Sequence, residues 1–182
     1  MMNRTLRLAA VAIALLFLPK PVRAQKTYAL GLGGGAAIPV GTLSDTQKAG
    51  FNGMAVLALG GADLPIGIRI DAIYSSFPRD SRSGATSSSG FRIAGALGNL
   101  VYAFPGTNAK AYLIAGGGLY NTKFDVPGAK AENHGGLNAG AGVTFRVGRI
   151  ASFLESRYHF VSRKPDKGGV IHFVPITIGL LF

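Results

Sequence analysis

The chain has 182 residues, a length that suits one domain, and only 15% of its residues are charged. Glycine occurs 27 times, about twice the usual frequency, which disfavours helices and favours bent or bulged strands. Cysteine is absent, and this excludes a disulfide framework, a thiol nucleophile and a thiolate metal site.

The first 24 residues have the features of an export signal. Arg4 and Arg7 supply positive charge ahead of an apolar stretch, 8–18, which is too short to span a bilayer of about 30 Å. Val22-Arg23-Ala24 then offers a cleavage site. We predict a signal peptide over 1–24, cleaved after Ala24, rather than an uncleaved membrane anchor.

The net positive charge of the chain has to be interpreted for an exported protein. Removing the leader takes away four cations and lowers the net charge from +11 to +7: Arg4, Arg7, Lys20 and Arg23. A basic protein suggests nucleic acid as its partner. An exported protein meets anionic lipid headgroups instead, so we expect lipid contacts and no nucleic-acid partner.

The mature chain, 25–182, is predicted to be all-β. No apolar run after Leu18 is long enough for a membrane helix, and the apolar residues recur with a period of two. Eight strands are predicted, in chain order, over 26–38, 51–60, 66–75, 91–104, 110–121, 137–147, 153–160 and 173–182.

The alternation assigns two faces to most of these strands. In the third strand, isoleucines at 66, 68 and 70 alternate with Arg69 and Asp71. The seventh strand places Glu155 and Arg157 opposite an apolar face in the same way. The faces of the second and fifth strands are not assigned by the pattern.

Connections between the strands alternate in length. Long ones fall at 39–50, 77–90, 122–135 and 162–171, and short ones at 61–65, 105–109 and 148–150. This order is typical of an antiparallel up-and-down transmembrane β-barrel with short periplasmic turns and longer outer loops. We expect the sheet to close into a barrel, because each unpaired backbone group of an open edge would cost several kcal/mol in lipid.

Aromatic residues cluster at the predicted strand ends. We expect two interfacial belts, although aromatics are common in any strand. The periplasmic belt would hold Tyr28, Tyr102, Phe104, Tyr112 and Phe182, and the outer belt Tyr74, Phe91, Tyr120 and Phe160.

Charged residues within strands are assigned to the interior: Arg69, Asp71, Arg146, Glu155, Arg157 and His159. A barrel of about eight strands is just wide enough for side chains to fill. Buried charges must pair, so we hypothesise a network of Arg69 and Arg157 with Asp71 and Glu155 that plugs the lumen.

Further cations fall on the predicted outer loops: Arg79, Arg82, Lys123, Lys130, Arg163, Lys164 and Lys167. They suit contact with lipopolysaccharide phosphates. Ordinary solvated loop charge is the alternative interpretation.

Several stretches together resemble the small OmpA/OmpX-type outer-membrane β-barrel family: GGGAAIPVG at 33–41, NLVYAF at 99–104, AYLIAGGGLY at 111–120, ESRY at 155–158 and PITIGLLF at 175–182. The resemblance covers most of 26–182 and implies the fold and an outer-membrane location. The last strand, with Ile176, Ile178, Leu180 and Phe182, looks like the C-terminal signal read by the barrel-assembly machinery.

Two motifs suggest other chemistry. The glycines at 31 and 33 mimic a dinucleotide fingerprint, which must open a helix, but Pro39 follows instead. The stretch from His134 loosely resembles barrel-type lipid A deacylases, yet Gly136 stands where the nucleophilic serine would be. We therefore interpret His134 as an exposed loop residue and His172 as interfacial, and the three histidines have no metal-ligand spacing.

We expect a monomeric, non-enzymatic envelope barrel with a structural or surface-interaction role and no cofactor. The alternatives are a narrow channel for small solutes, a lipid A-modifying enzyme and a soluble lipocalin-like carrier. A soluble barrel would turn its polar face outward and its apolar face inward.

Overall fold

The computed structural model describes residues 26–61, 65–80, 90–163 and 169–182. They form eight β-strands and one short 3-10 helix. The strands are β1 (Lys26–Val40), β2 (Gly50–Gly61), β3 (Ile66–Phe77), β4 (Phe91–Ala103), β5 (Ala109–Phe124), β6 (Glu132–Val147), β7 (Ile150–Ser162) and β8 (Val170–Leu181), and the helix is η1 (Gly41–Leu43).

The strands close into an antiparallel up-and-down barrel, as predicted. Each strand pairs with the next along the chain, and β8 pairs with β1. Register along this closing seam runs from Gly31 opposite Leu181 to Val40 opposite His172. Phe182 extends it, because its amide and carbonyl exchange hydrogen bonds of 2.7 and 3.1 Å with Leu30. Closure leaves the barrel without a free edge strand.

The two ends of the barrel differ in their connections. One end has the connections 62–65, 104–108 and 148–149. The start of β1 and the end of β8 lie at the same end. We call it the short-turn end. The opposite, long-loop end has the connections 41–49, 78–90, 125–131 and 163–169. In the two-residue turn between β6 and β7, Gly148 has a φ of +63°, which other residues rarely adopt.

Large apolar side chains cover the outside of the barrel. Leu30, Ile68, Leu113, Leu137 and Ile178 are all about half exposed or more. The predicted outward faces of β1, β3 and β8 are confirmed. The described residues contain no helix that is both long and apolar enough to cross a membrane.

The structure also assigns the faces of the two strands that the pattern left open. Asn52, Met54 and Val56 of β2 point inward, as do Tyr112 and Tyr120 of β5. The inward face of β5 continues through Gly116 and Gly118. Because glycine carries no side chain, the sequence of β5 shows little contrast between its faces.

The assignment of three residues to the aromatic belts is therefore wrong. Phe91, Tyr112 and Tyr120 are buried inside the barrel, at 2%, 4% and 0% exposure. Both tyrosines find polar partners there, which an apolar outer face would not supply. The other aromatics named for the belts are exposed: Tyr28, Tyr74, Tyr102, Phe104, Phe160 and Phe182.

The interior is filled unevenly along the barrel axis. The half nearer the long-loop end is packed with aromatic and aliphatic side chains, among them Phe77 and Phe173, whose rings meet edge to face at 5.8 Å. Polar residues occupy the middle. A cavity lies at the short-turn end. Arg146, predicted to point into the interior, is exposed at this end instead.

Candidate functional site

Four charged side chains lie in the middle of the lumen. Arg69 and Asp71 come from β3, and Glu155 and Arg157 come from β7. In each pair the residues are two positions apart, so both side chains point to the same face of the strand. All four are buried, with no more than 6% of any residue exposed.

These four residues form a closed set of ion pairs, which we call the lumen charge network. Arg69 Nε lies 3.0 Å from Asp71 Oδ1, and Arg69 Nη2 lies 2.8 Å from both carboxylate oxygens of Glu155. Arg157 Nη1 lies 2.9 Å from Asp71 Oδ2, and Arg157 Nε lies 2.6 Å from Glu155 Oε1. The network thus carries two positive and two negative charges.

Neutral groups add hydrogen bonds to these charges. Asn99 Nδ2 donates to Asp71 Oδ2 at 2.9 Å, and the Tyr112 hydroxyl donates to Glu155 Oε2 at 2.8 Å. Arg157 donates to Asn138 Oδ1 and to the sulfur of Met54, both at 3.3 Å. Every strand from β2 to β7 therefore contributes a side chain. Such extra hydrogen bonds are what makes a buried ion pair tolerable.

Glycines make room for the largest members of the network. A Cβ at Gly140 would lie 2.7 Å from Cα and Cγ of Arg157, and one at Gly142 would lie 2.4 Å from the Tyr112 ring. Side chains at these positions would collide with the network. The bare backbone of β6 is thus a condition for placing Arg157 and Tyr112 in a lumen of this width.

A layer of packed side chains lies in the lumen between the network and the long-loop end. Tyr120 Oη lies 2.9 Å from His159 Nδ1, and the His159 ring stacks on Phe173 with centroids 4.5 Å apart. Phe77 and Ile93, both completely buried, belong to the same layer. Sequence reasoning placed His159 inside but missed its partners, because they come from β5 and β8.

The predicted basic loop residues are spread over three connections. Arg79 is exposed after β3 and Lys130 between β5 and β6, whereas Lys123 is exposed near the end of β5 rather than in the loop that follows. Arg163 follows β7 and is partly buried. The remaining residues of the set lie outside the described ranges: Arg82, Lys164 and Lys167.

One further cation was missed by sequence reasoning. Arg92 lies directly opposite Lys123 in the pairing of β4 with β5, and both are exposed on the outward face near the long-loop end. Arg92 forms an ion pair with Asp125. Tyr102 was a usable signal, because it was assigned to the outer surface and lies an even number of residues after Arg92, so both residues share one face of the strand.

The C-terminal strand presents its predicted signal residues outward. Ile176, Ile178, Leu180 and Phe182 are all exposed on the outside of β8.

The prediction that His134 is an exposed loop residue is wrong. His134 was expected in an exposed loop, but it is buried inside β6, where its Nε2 lies 3.1 Å from Thr122 Oγ1 and 3.7 Å from Glu132 Oε2. His172 is half-buried on the outward face of β8, 2.7 Å from the Tyr158 hydroxyl. Within the described ranges, no group of three acidic or histidine side chains is arranged to hold a metal ion.

Comparison with known proteins supports the architecture. No protein-family model and no curated protein matches the sequence. Among solved structures, Neisserial surface protein A is 17% identical with a TM-score of 0.64, covering 85% of this chain and 95% of that one. A major outer membrane protein from Thermus thermophilus is 10% identical with a TM-score of 0.53, and the match covers 86% of this chain and 99% of that one. At these identities the likeness shows a shared eight-stranded barrel fold.

The network generates a stability prediction. Glu155→Gln removes the anion that pairs with both arginines and leaves uncompensated positive charge in the lumen. We expect the free energy of unfolding to fall by about 3–5 kcal/mol. Equilibrium urea unfolding in detergent micelles measures it.

The control for this prediction is Lys48→Ala. It breaks the Lys48–Asp80 pair, whose 3.3 Å contact lies at the surface, and should cost no more than about 1 kcal/mol. If both variants lost the same free energy of unfolding, the prediction would be wrong, because the buried pairs would then matter no more than an exposed one.

Proposed function

We propose that the chain is an integral outer-membrane β-barrel with a structural or surface-interaction role and a plugged lumen. One observation carries the proposal: large apolar side chains cover the outside of the barrel, while two arginines and two carboxylates are buried within it. A soluble protein does the reverse, because large exposed apolar patches associate or aggregate in water. The same inversion argues against a soluble carrier.

The location follows from the same inversion. Barrels that span a lipid bilayer with an apolar outer band are found in outer membranes. The predicted signal peptide over 1–24, with cleavage after Ala24, supplies the route of export, and the outward residues of β8 suit recognition by the barrel-assembly machinery. We propose that the short-turn end faces the periplasm and that the barrel is a monomer.

An arginine on the outer band tests the membrane assignment. Ile70 lies in the middle of β3 and is about half exposed. We expect Ile70→Arg to lower the free energy of unfolding in lipid by about 2–4 kcal/mol and to reduce the folded protein recovered from outer-membrane fractions. Urea titration and cell fractionation measure the two effects.

Thr42→Arg is the matched control, because Thr42 is exposed in the connection after β1. The same arginine there should leave both readouts unchanged. If the folded wild-type chain were recovered as a water-soluble protein without detergent, the assignment would be wrong.

The packed interior favours a plug over a narrow channel. A path through the lumen would have to pass both the lumen charge network and the fully buried layer of Phe77, Tyr120 and Phe173. A conducting pore of this strand number would need space that these side chains occupy.

We therefore expect no stable conductance in planar bilayers. The measurement is single-channel recording on protein whose insertion is confirmed by the gel shift between unboiled and boiled samples. Long-lived openings of uniform size would overturn the plug and favour the channel.

A lipid A-modifying activity is disfavoured by the packing around Gly136. A Cβ at this position would lie 2.7 Å from Cε2 of Tyr120. A serine nucleophile would not fit there without displacing the ring. We therefore propose a non-enzymatic role.

Lipopolysaccharide is the proposed partner of the long-loop end. Arg92 and Lys123 are like charges on directly opposed positions, an arrangement that is destabilising unless an anion lies between or beside them. Asp125 supplies such an anion to Arg92 but forms no ion pair with Lys123, so Lys123 is the member of the pair that we propose for contact with a lipid phosphate. Arg79, Lys130 and Arg163 add positive charge from the neighbouring connections.

A single substitution tests this partner. Lys123→Gln should weaken binding of phosphorylated lipid A about fivefold, the worth of about 1 kcal/mol at an anionic surface, and leave dephosphorylated lipid A unaffected. Arg149→Gln, in the short turn after β6, is the control and should change neither affinity. Equal binding of both lipids by the native chain would contradict the phosphate contact.

A further inference from the structure

The short-turn half of the lumen is hollow. A cavity of about 390 Å³ lies there, between the lumen charge network and the turns. Small apolar side chains make up most of its inner wall: Ala29, Val56, Ala58, Val101 and Ala103. Ligand sites for small molecules range from about 300 to 1,000 Å³, so this volume suits a slender occupant.

The cavity is blind. Arg69, Tyr112 and Phe153 line its inner end, and the first two are held by Glu155 at 2.8 Å. The aromatic layer beyond the network closes the rest of the lumen. A molecule that enters from the short-turn end therefore has to leave by the same end.

The mouth of the cavity is positively charged. Lys110 lines it and is exposed, and Thr144 lies directly opposite on β6. Arg146 is two residues beyond Thr144, on the same face of β6, and is also exposed. The connections 104–108 and 148–149 contain no acidic residue, and Asp63 of the third connection at this end lies outside the described residues.

We propose that this cavity binds a single-chain anionic amphiphile, a fatty acid or a lysophospholipid. Its alkyl chain lies among the small apolar residues, because removing methylene groups from water drives their burial. Its carboxylate or phosphate stays at the mouth beside Lys110 and Arg146. One chain fits better than two because the volume is near the lower end for ligand sites.

This inference goes beyond the proposed surface role and is independent of it. The residues on which it depends, such as Ala29, Val101 and Lys110, lie on the inward faces of their strands, whereas the surface role concerns the outer band and the long-loop end. A failure of one leaves the other standing.

Cysteine protection tests the site directly, since the chain contains no cysteine of its own. Ala103→Cys places one thiol on the cavity wall, and Asn108→Cys places one in the adjacent exposed turn. The folded variants, in micelles of an uncharged detergent, are treated with N-ethylmaleimide while octanoate or lysophosphatidylglycerol is titrated.

We expect the thiol of Ala103→Cys to react in the absence of amphiphile and to be protected at least fivefold with saturation. The thiol of Asn108→Cys should change less than twofold. Protection by octanoate alone identifies a free fatty acid, and protection by lysophosphatidylglycerol alone identifies a lipid with a phosphate headgroup. An unreactive wall thiol, or parallel behaviour of the two thiols, overturns the site.

The cations are tested separately. In the Ala103→Cys background, Lys110→Gln with Arg146→Gln should raise the octanoate concentration for half-protection about fivefold, the worth of one or two exposed ion pairs. Half-protection by uncharged 1-octanol should not move. If octanol protects the native mouth as well as octanoate does, the anionic selectivity is refuted. The gel shift of unboiled samples verifies that each variant is folded.

Discussion

Closure of the hydrogen-bonded ladder is the constraint on which the rest of this structure depends. Because β8 pairs with β1, no strand edge is left open, and the sheet encloses a lumen only a few side chains wide. Alternation along each strand then sends every second residue into that lumen. The apolar outer band and the enclosed charges are two consequences of one closed sheet.

The interior shows how a narrow lumen accommodates charge. Ion pairs that are buried rarely stabilise a fold more than apolar packing would, so the lumen charge network does not account for stability by itself. Its charges connect β3 and β7 across the lumen and have partners on β2, β4, β5 and β6, so these contacts depend on the register of six strands. The same arrangement separates a densely packed half of the lumen from a hollow half.

Prediction from sequence succeeded where the two faces of a strand differ strongly. The third and seventh strands alternate isoleucine, leucine or tyrosine with charged residues, and their faces are as expected. It failed for Phe91, Tyr112 and Tyr120, which were assigned to the outside. An aromatic ring suits either face, and the glycines of β5 remove the contrast that would have assigned its two tyrosines to the inside. His134 was misplaced for a similar reason, because glycines at 135 and 136 resemble a loop.

The sequence by itself determined the strand number, the up-and-down order and the inward direction of Arg69, Asp71, Glu155 and Arg157. These properties follow from a period of two and from connection lengths, which are local. Only the tertiary structure decided which side chains meet, such as Tyr112 with Glu155 across the lumen, and where space remains. Register and closure set those contacts, and both depend on residues far apart in the chain.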